Sequence, residues 1–292
     1  MRPLLSAFVC ALTGISVAAC TGAVEGAAGA DVAATTAGSV GILRVERSLD
    51  ADPETAARRA ALGAAFARYH GIDGADVLQL LGGGASVEPE SCIDASSVGE
   101  GLAEPEADVE LLDVGVIDIR LGASNATLEP RTFPELGSVA TGVFYAGDGA
   151  FADVAPSREL EYVFRAAGSS EVAPFEVSVA PPGDLADVRV DGAFADVRPS
   201  IARSRGLEVA WAAGDPRDRI EIELRAGTEA LVCAARDDGA FRIDGALAQA
   251  VPGAADARLV VRRVRAQAFD APGVDSAWVR VSTERTFGVA LE

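Results

Sequence analysis

The chain has 292 residues and carries 44 acidic side chains against 25 basic ones, all of the latter arginine, for a formal charge of −19 at pH 7. Such a charge is repelled by nucleic acid and by anionic lipid headgroups, which excludes a nucleic-acid-binding role. Aromatic residues are 5% of the total, too few to line a sugar-binding platform once a core has taken its share, while the length suffices for two domains of ordinary size.

In chain order, Arg2 is followed by an uncharged run from Leu4 to Ala19, rich in Leu, Ala, Val and Ile, which is the pattern of a secretory signal. The run is too short for a working transmembrane span. It closes on Val17-Ala18-Ala19-Cys20. These four residues resemble the lipobox of bacterial lipoproteins: an aliphatic residue, two small residues, then cysteine. The resemblance implies removal of residues 1–19, a diacylglyceryl group on the Cys20 thiol, acylation of the new amino terminus (a palmitate is the expected chain), and anchorage through the lipid. Thr21, where that family's inner-membrane retention signal places Asp, implies the outer membrane. The alternative is ordinary signal cleavage after Ala19 or Ala30. Residues 20–40, mostly Gly, Ala, Ser, Thr and Val, are expected to form a disordered tether with an r.m.s. span of roughly 25 Å.

Residues 41–182 read as an acidic, β-rich N-terminal domain with a helical segment over 53–81. Val40 to Arg47 is a strand pattern. Asp52, Pro53 and Glu54 make a helix start, with a capping acceptor and a proline at the first helical position. Leu62, Ala65, Phe66 and Tyr69 then share a helical face, so the spacing predicts helix to about Tyr69. A second short helix, Ala75 to Leu81, is stopped by Gly82-Gly83-Gly84. His70, the only histidine, falls between the two helices and reads as an exposed bystander. From Tyr69 to Ile119 there are twelve acids and no arginine; without a D-x-[DN]-x-[DN]-G loop this reads as solvated surface, with calcium binding as the lesser alternative. Short alternating runs at 114–121, 142–145, 159–166 and 174–180 predict strands. Pro181-Pro182-Gly183 supplies a break suited to a domain boundary.

Residues 183–292 are charge-balanced: from Arg198 onward there are fourteen arginines and fourteen acids. Gly206 to Trp211, a Gly-Asp-Pro turn, and Arg219 to Arg225 are followed by Phe241 to Gly245, Ala257 to Ala268 and Ala277 to Thr283. This succession resembles a fibronectin type III domain, in which a tryptophan ends the second strand and anchors the core. The tyrosine that family places soon after Pro252-Gly253 is absent, so the resemblance supports the broader immunoglobulin-like sandwich. Trp211, in phase with Leu207 and Val209, is expected to face the core. The heptapeptide Asp148 to Val154 recurs unchanged at Asp191 to Val197, as tandem domains of common descent would leave it, or as chance would in a chain this rich in Ala and Gly.

With Cys10 in the leader and Cys20 committed to lipid, Cys92 and Cys233 have one pairing open to them; a buried free thiol at Cys233 is the alternative. Arg258, Arg262, Arg263 and Arg265 lie on one predicted strand, where pairing with Glu221 and Glu223 outweighs anion binding. The resulting expectation is a mainly β protein: two tandem β-sandwich (immunoglobulin- or fibronectin-like) domains with one or two short helices near the N-terminus. No catalytic residue, metal ligand or cofactor is expected. The expected role is that of a lipid-anchored envelope lipoprotein, structural or protein-binding, with the membrane and an envelope or extracellular protein as partners; the alternative is an envelope hydrolase using paired carboxylates.

Overall fold

The structure, a computed structural model, describes residues 37–50, 58–84, 86–95, 108–132, 140–152, 154, 157 and 159–292. The leader, Cys20 and tether residues 21–36 lie outside this set. The described chain is mainly β. In order it forms β1 (Ala37–Asp50), β2 (Arg58–His70), helix α1 (Gly74–Leu80), β3 (Ser91–Asp94), β4 (Asp108–Leu111), β5 (Ile117–Leu121), β6 (Ser124–Leu128), β7 (Arg131–Thr132), β8 (Ala140–Asp148), β9 (Tyr162–Ala166) and β10 (Phe175–Val179). There follow β11 (Arg189–Val190), β12 (Ala193–Phe194), β13 (Ser200–Ile201), β14 (Leu207–Ala210), β15 (Arg219–Ala226), β16 (Glu229–Arg236), β17 (Ala240–Ile243), helix α2 (Gly245–Ala248), β18 (Ala254–Phe269) and β19 (Ser276–Leu291). No described helix is long and apolar enough to cross a membrane.

Among the described residues one 11-stranded sheet runs β3-β16-β15-β18-β19-β1-β2-β4-β8-β7, with β13 beside β19. Strands from both sides of the Pro181-Pro182-Gly183 break therefore interleave in it: β1 pairs in parallel with β19, and β3 antiparallel with β16. Two four-stranded sheets accompany it, β10-β9-β5-β6 and β12-β11-β14-β17. Leu43, Phe66, Val279 and Val281 of the large sheet share a core with Ile117, Phe164 and Val177. Ile222, Val261, Phe287 and Val289 share a second core with Val190, Val209 and Ile243. All four β19 residues named are odd-numbered, and side chains alternate along a strand, so both cores lie on the same face of the large sheet.

The β18–β19 hairpin joins the two. Each strand has 16 residues; Leu259 opposite Phe287 belongs to the second core, and Phe269 opposite Ala277 to the first. Between the cores the same face turns polar, with Arg47, Thr283 and Arg263 in register across β1, β19 and β18 and all three buried.

Residues 58–70 are a strand, not the helix expected over 53–69, and residues 53–57 lie outside the described set. Leu62, Ala64 and Phe66 face the first core while Ala67 and Tyr69 face the other side. An alanine-rich stretch with Leu, Phe and Tyr satisfies both periods. Pairing with β1 on one flank and with β4 and β8 on the other decides for the strand, overriding local propensity. The same pairing draws Ala37 to Val40, expected as the end of the tether, into β1.

The second helix forms as expected. Asp73 caps it, its Oδ1 accepting from Ala75 N–H at 2.8 Å. Its end is a Schellman motif: Gly82 N–H donates to the Gln79 carbonyl and Gly83 N–H to that of Leu78, with Gly82 at φ +89°.

Candidate functional site

Period-two alternation splits the arginines of β18 between two faces. Arg262 points to the outer face of the large sheet and takes Glu223 at 3.0 Å and Glu284 at 2.6 Å. The expected pairing of Arg262 with Glu223 is thus present, whereas Glu221 is claimed by Arg219 and Arg280, each at 2.6 Å. Arg263 and Arg265 point inward, to the polar row between the cores.

There the guanidinium of Arg263 meets the Asp237 carboxylate at 2.7 Å, with the two side chains 3% and 0% exposed. Trp211 Nε1–H donates to the same carboxylate at 2.8 Å. Arg263 also donates to the carbonyls of Ala212 and Asp184, each at 2.5 Å. Asp184 follows the Pro181-Pro182-Gly183 break, whose two prolines are buried, so one guanidinium fastens the connection between the halves. Trp211 faces the core as expected and adds this polar tie through its ring N–H. Arg265 pairs with Asp218 and, at 3.2 Å, with Asp215. Hydrogen bonds from the Arg217 guanidinium and from its backbone amide hold the Asp215 carboxyl well below the usual range.

On the outer face burial pushes the Glu221 carboxyl upward, but the charges of Arg280, Arg219 and Arg262 outweigh it and the net shift is downward. Glu223 follows the same balance, burial being overcome by Arg225 and Arg262. For a carboxyl depressed in the folded state, the stabilisation is present above the unfolded value, about 4.3 for Glu, and is lost as pH falls through the folded one. The urea midpoint should therefore decline on acidification below about pH 4.3, and Glu221→Gln should flatten that decline. A slope unchanged by the substitution would contradict the assignment.

A recess of about 490 Å³ opens where the start of β1, the end of β2, β4 and the β18–β19 turn meet, lined by Arg68, Tyr69, His70, Asp108, Glu110 and Asp275 among others. Arg68 bonds Glu110 at 2.8 Å. Asp275 Oδ2 accepts from both the amide and the hydroxyl of Ser39, at 2.8 and 2.9 Å, and the Ser39 hydroxyl accepts from the Asp275 amide. That hydroxyl is committed to clasping β1 to the hairpin turn. His70 is exposed as expected, but it is the last residue of β2 and stands opposite Asp108 rather than between two helices. Among the described residues no three His, Cys, Asp or Glu side chains converge to hold a metal ion. The recess is a surface concavity whose charged lining is mostly acidic. Most of the acidic stretch 100–110 lies outside the described residues.

Cys92 and Cys233 stand directly opposite each other on β3 and β16 and are disulfide-bonded across a sequence separation of 141 residues. Cys20 lies outside the described residues. The inward acids Asp237 and Asp218 escaped sequence reading because they sit at the ends of β16 and β15 among many other acids. The odd numbering of Arg263 and Arg265, in phase with Leu259 and Val261, was the signal that inward partners were required. No protein-family model matches the chain, and no curated protein matches it.

Proposed function

We propose that the chain is a lipid-anchored lipoprotein of the bacterial envelope, whose β-rich body serves as a non-enzymatic structural or protein-binding module held off the outer membrane by its tether. The observation that carries the reading is the apolar leader ending in Val17-Ala18-Ala19-Cys20. The Cys92–Cys233 disulfide supports it independently, since such bonds persist in oxidising compartments outside the cytoplasm.

We further infer that the body is a pair of immunoglobulin-like sandwiches. In the C-terminal half β14 pairs with β11 and β17, while β18 pairs with β15 and β19. Taken as strands A, B and E against C, F and G, this is the strand order of an immunoglobulin-type sandwich. The two small sheets also share one plan: a hairpin whose first strand pairs with a third, which pairs with a fourth, all antiparallel. The two copies of the heptapeptide do not occupy equivalent places in this plan: one begins at the last residue of β8, the other runs from the β11–β12 turn through β12, whose counterpart is β6. Their packing differs as well, Phe151 being fully buried while Phe194 is 46% exposed beneath the Arg189 guanidinium.

Mass measurement of the mature N-terminal peptide tests the anchor. The expected peptide begins at Cys20 and carries a diacylglyceryl group and an amide-linked acyl chain, and Cys20→Ala should release the protein from the membrane fraction without detergent. An unmodified terminus on the native protein would overturn the reading.

A further inference from the structure

Residues 71–84 and 86–94 cross the outer face of the large sheet from one half of the molecule to the other. The crossing starts at α1, which buries Val77 against Val40 and Ala67 of β1 and β2. Its middle is the glycine triplet, laid over the paired charges. A Cβ on Gly82 would stand 1.9 Å from an Arg44 guanidinium nitrogen, and one on Gly84 3.4 Å from Arg280 and 3.5 Å from Glu221. It ends at the sheet edge, where Glu90 N–H donates to the Ala234 carbonyl, the Glu90 carboxylate accepts from Arg236 N–H, and β3 pairs with β16.

The hold on this strap is uneven. Between Leu81 and Ala95, Val87 is the one described residue that is buried; β3 is four residues long and none of its side chains is fully buried. At its far end the strap is held by the backbone bonds of β3 to β16, by the Glu90 carboxylate and by Cys92–Cys233. The two sulfurs differ in access, for Cys233 is 0% exposed and Cys92 only partly buried.

We propose that Cys92–Cys233 is a thiol-exchange site at which a dithiol reductant unlatches the strap. A reductant thiolate attacks Cys92 Sγ and forms a mixed disulfide; the sulfur–sulfur bond breaks, and Cys233 leaves as a thiolate that takes up a proton. The second thiolate of the reductant then attacks its own sulfur in that mixed disulfide. Cys92 is released and protonated, and the reductant departs as an oxidised disulfide, two electrons having passed to the protein. The strap then lifts from its β3 end while α1 stays docked, and the edge of β16 is uncovered.

Two measurements on the full chain test this. Brief exposure to a monothiol, followed by peptide mass spectrometry, should place the adduct on Cys92; an adduct on Cys233 would overturn the direction of attack. After complete reduction with dithiothreitol, amide hydrogen exchange should rise at least about tenfold in residues 88–94 and 230–236, with α1, β18 and β19 unchanged. Unchanged protection in 88–94, or loss of protection throughout, would show a plain structural cross-link and overturn the proposal.

Discussion

Replacing Asp237 with Ala is expected to cost about 3–5 kcal/mol of unfolding free energy, because it leaves a buried guanidinium without its counter-charge. Arg263 is 2% exposed as a residue and would retain only the backbone carbonyls of Gly183, Asp184 and Ala212. Trp211 Nε1–H would lose its acceptor at the same stroke, and an unsatisfied buried donor carries its full desolvation penalty. Asp237→Asn should cost less, since the amide oxygen still accepts from the indole while the charge imbalance remains. Urea unfolding of the three proteins checks the order; an Asp237→Ala loss below about 1 kcal/mol, the scale of an exposed pair, would mean that the triad is not buried in solution.

The second large effect lies in the first core, where Gly41 and Phe66 face each other across β1 and β2. The Phe66 ring packs directly against the glycine, and a Cβ there would stand 2.3 Å from its Cδ1. The ring is fully buried and continues to Phe175 at 5.6 Å and from there to Phe269 at 5.3 Å. Phe66→Ala should therefore cost about 3–5 kcal/mol, and Gly41→Ala about 1–3 kcal/mol through overpacking. The two should couple strongly: once the ring is gone, the added methyl fills part of the void, so the double variant should be no less stable than Phe66→Ala alone. Additive losses in denaturant titrations would contradict the close approach.

These two sites show what the sequence made legible. Trp211 facing inward and the strands around β9, β10, β14, β15, β18 and β19 followed from alternation, because each has one buried and one polar face. The closing glycines of α1 followed from capping chemistry. Residues 58–70 did not, since Gly63 and the alanines fit either period and the deciding contacts with β1, β4 and β8 are long-range. Gly41 is informative only once its cross-strand neighbour is known to be Phe66. The C-terminal hairpin read as the last strands of a single sandwich, but its length, 16 residues on each side, carries it into the other core. No local pattern marks that step, because Val279 and Val281 alternate in phase with Phe287 and Val289. The recess beside His70 was invisible for the same reason: its walls come from residues 37–39, 68–70, 108, 110 and 275, brought together by strand pairing alone.

A shared hairpin has a mechanical consequence for the β-rich body. With β18 and β19 contributing to both cores and Arg263 binding the connection between the halves, neither core can open without exposing part of the other. Native-state hydrogen exchange across a urea series tests this most directly. The account predicts that the slowest amides of β9, in the first core, and of β14, in the second, converge on one opening free energy and one urea dependence. Exchange of either set through a separate opening, with a lower free energy and a smaller urea dependence than the other, would contradict it.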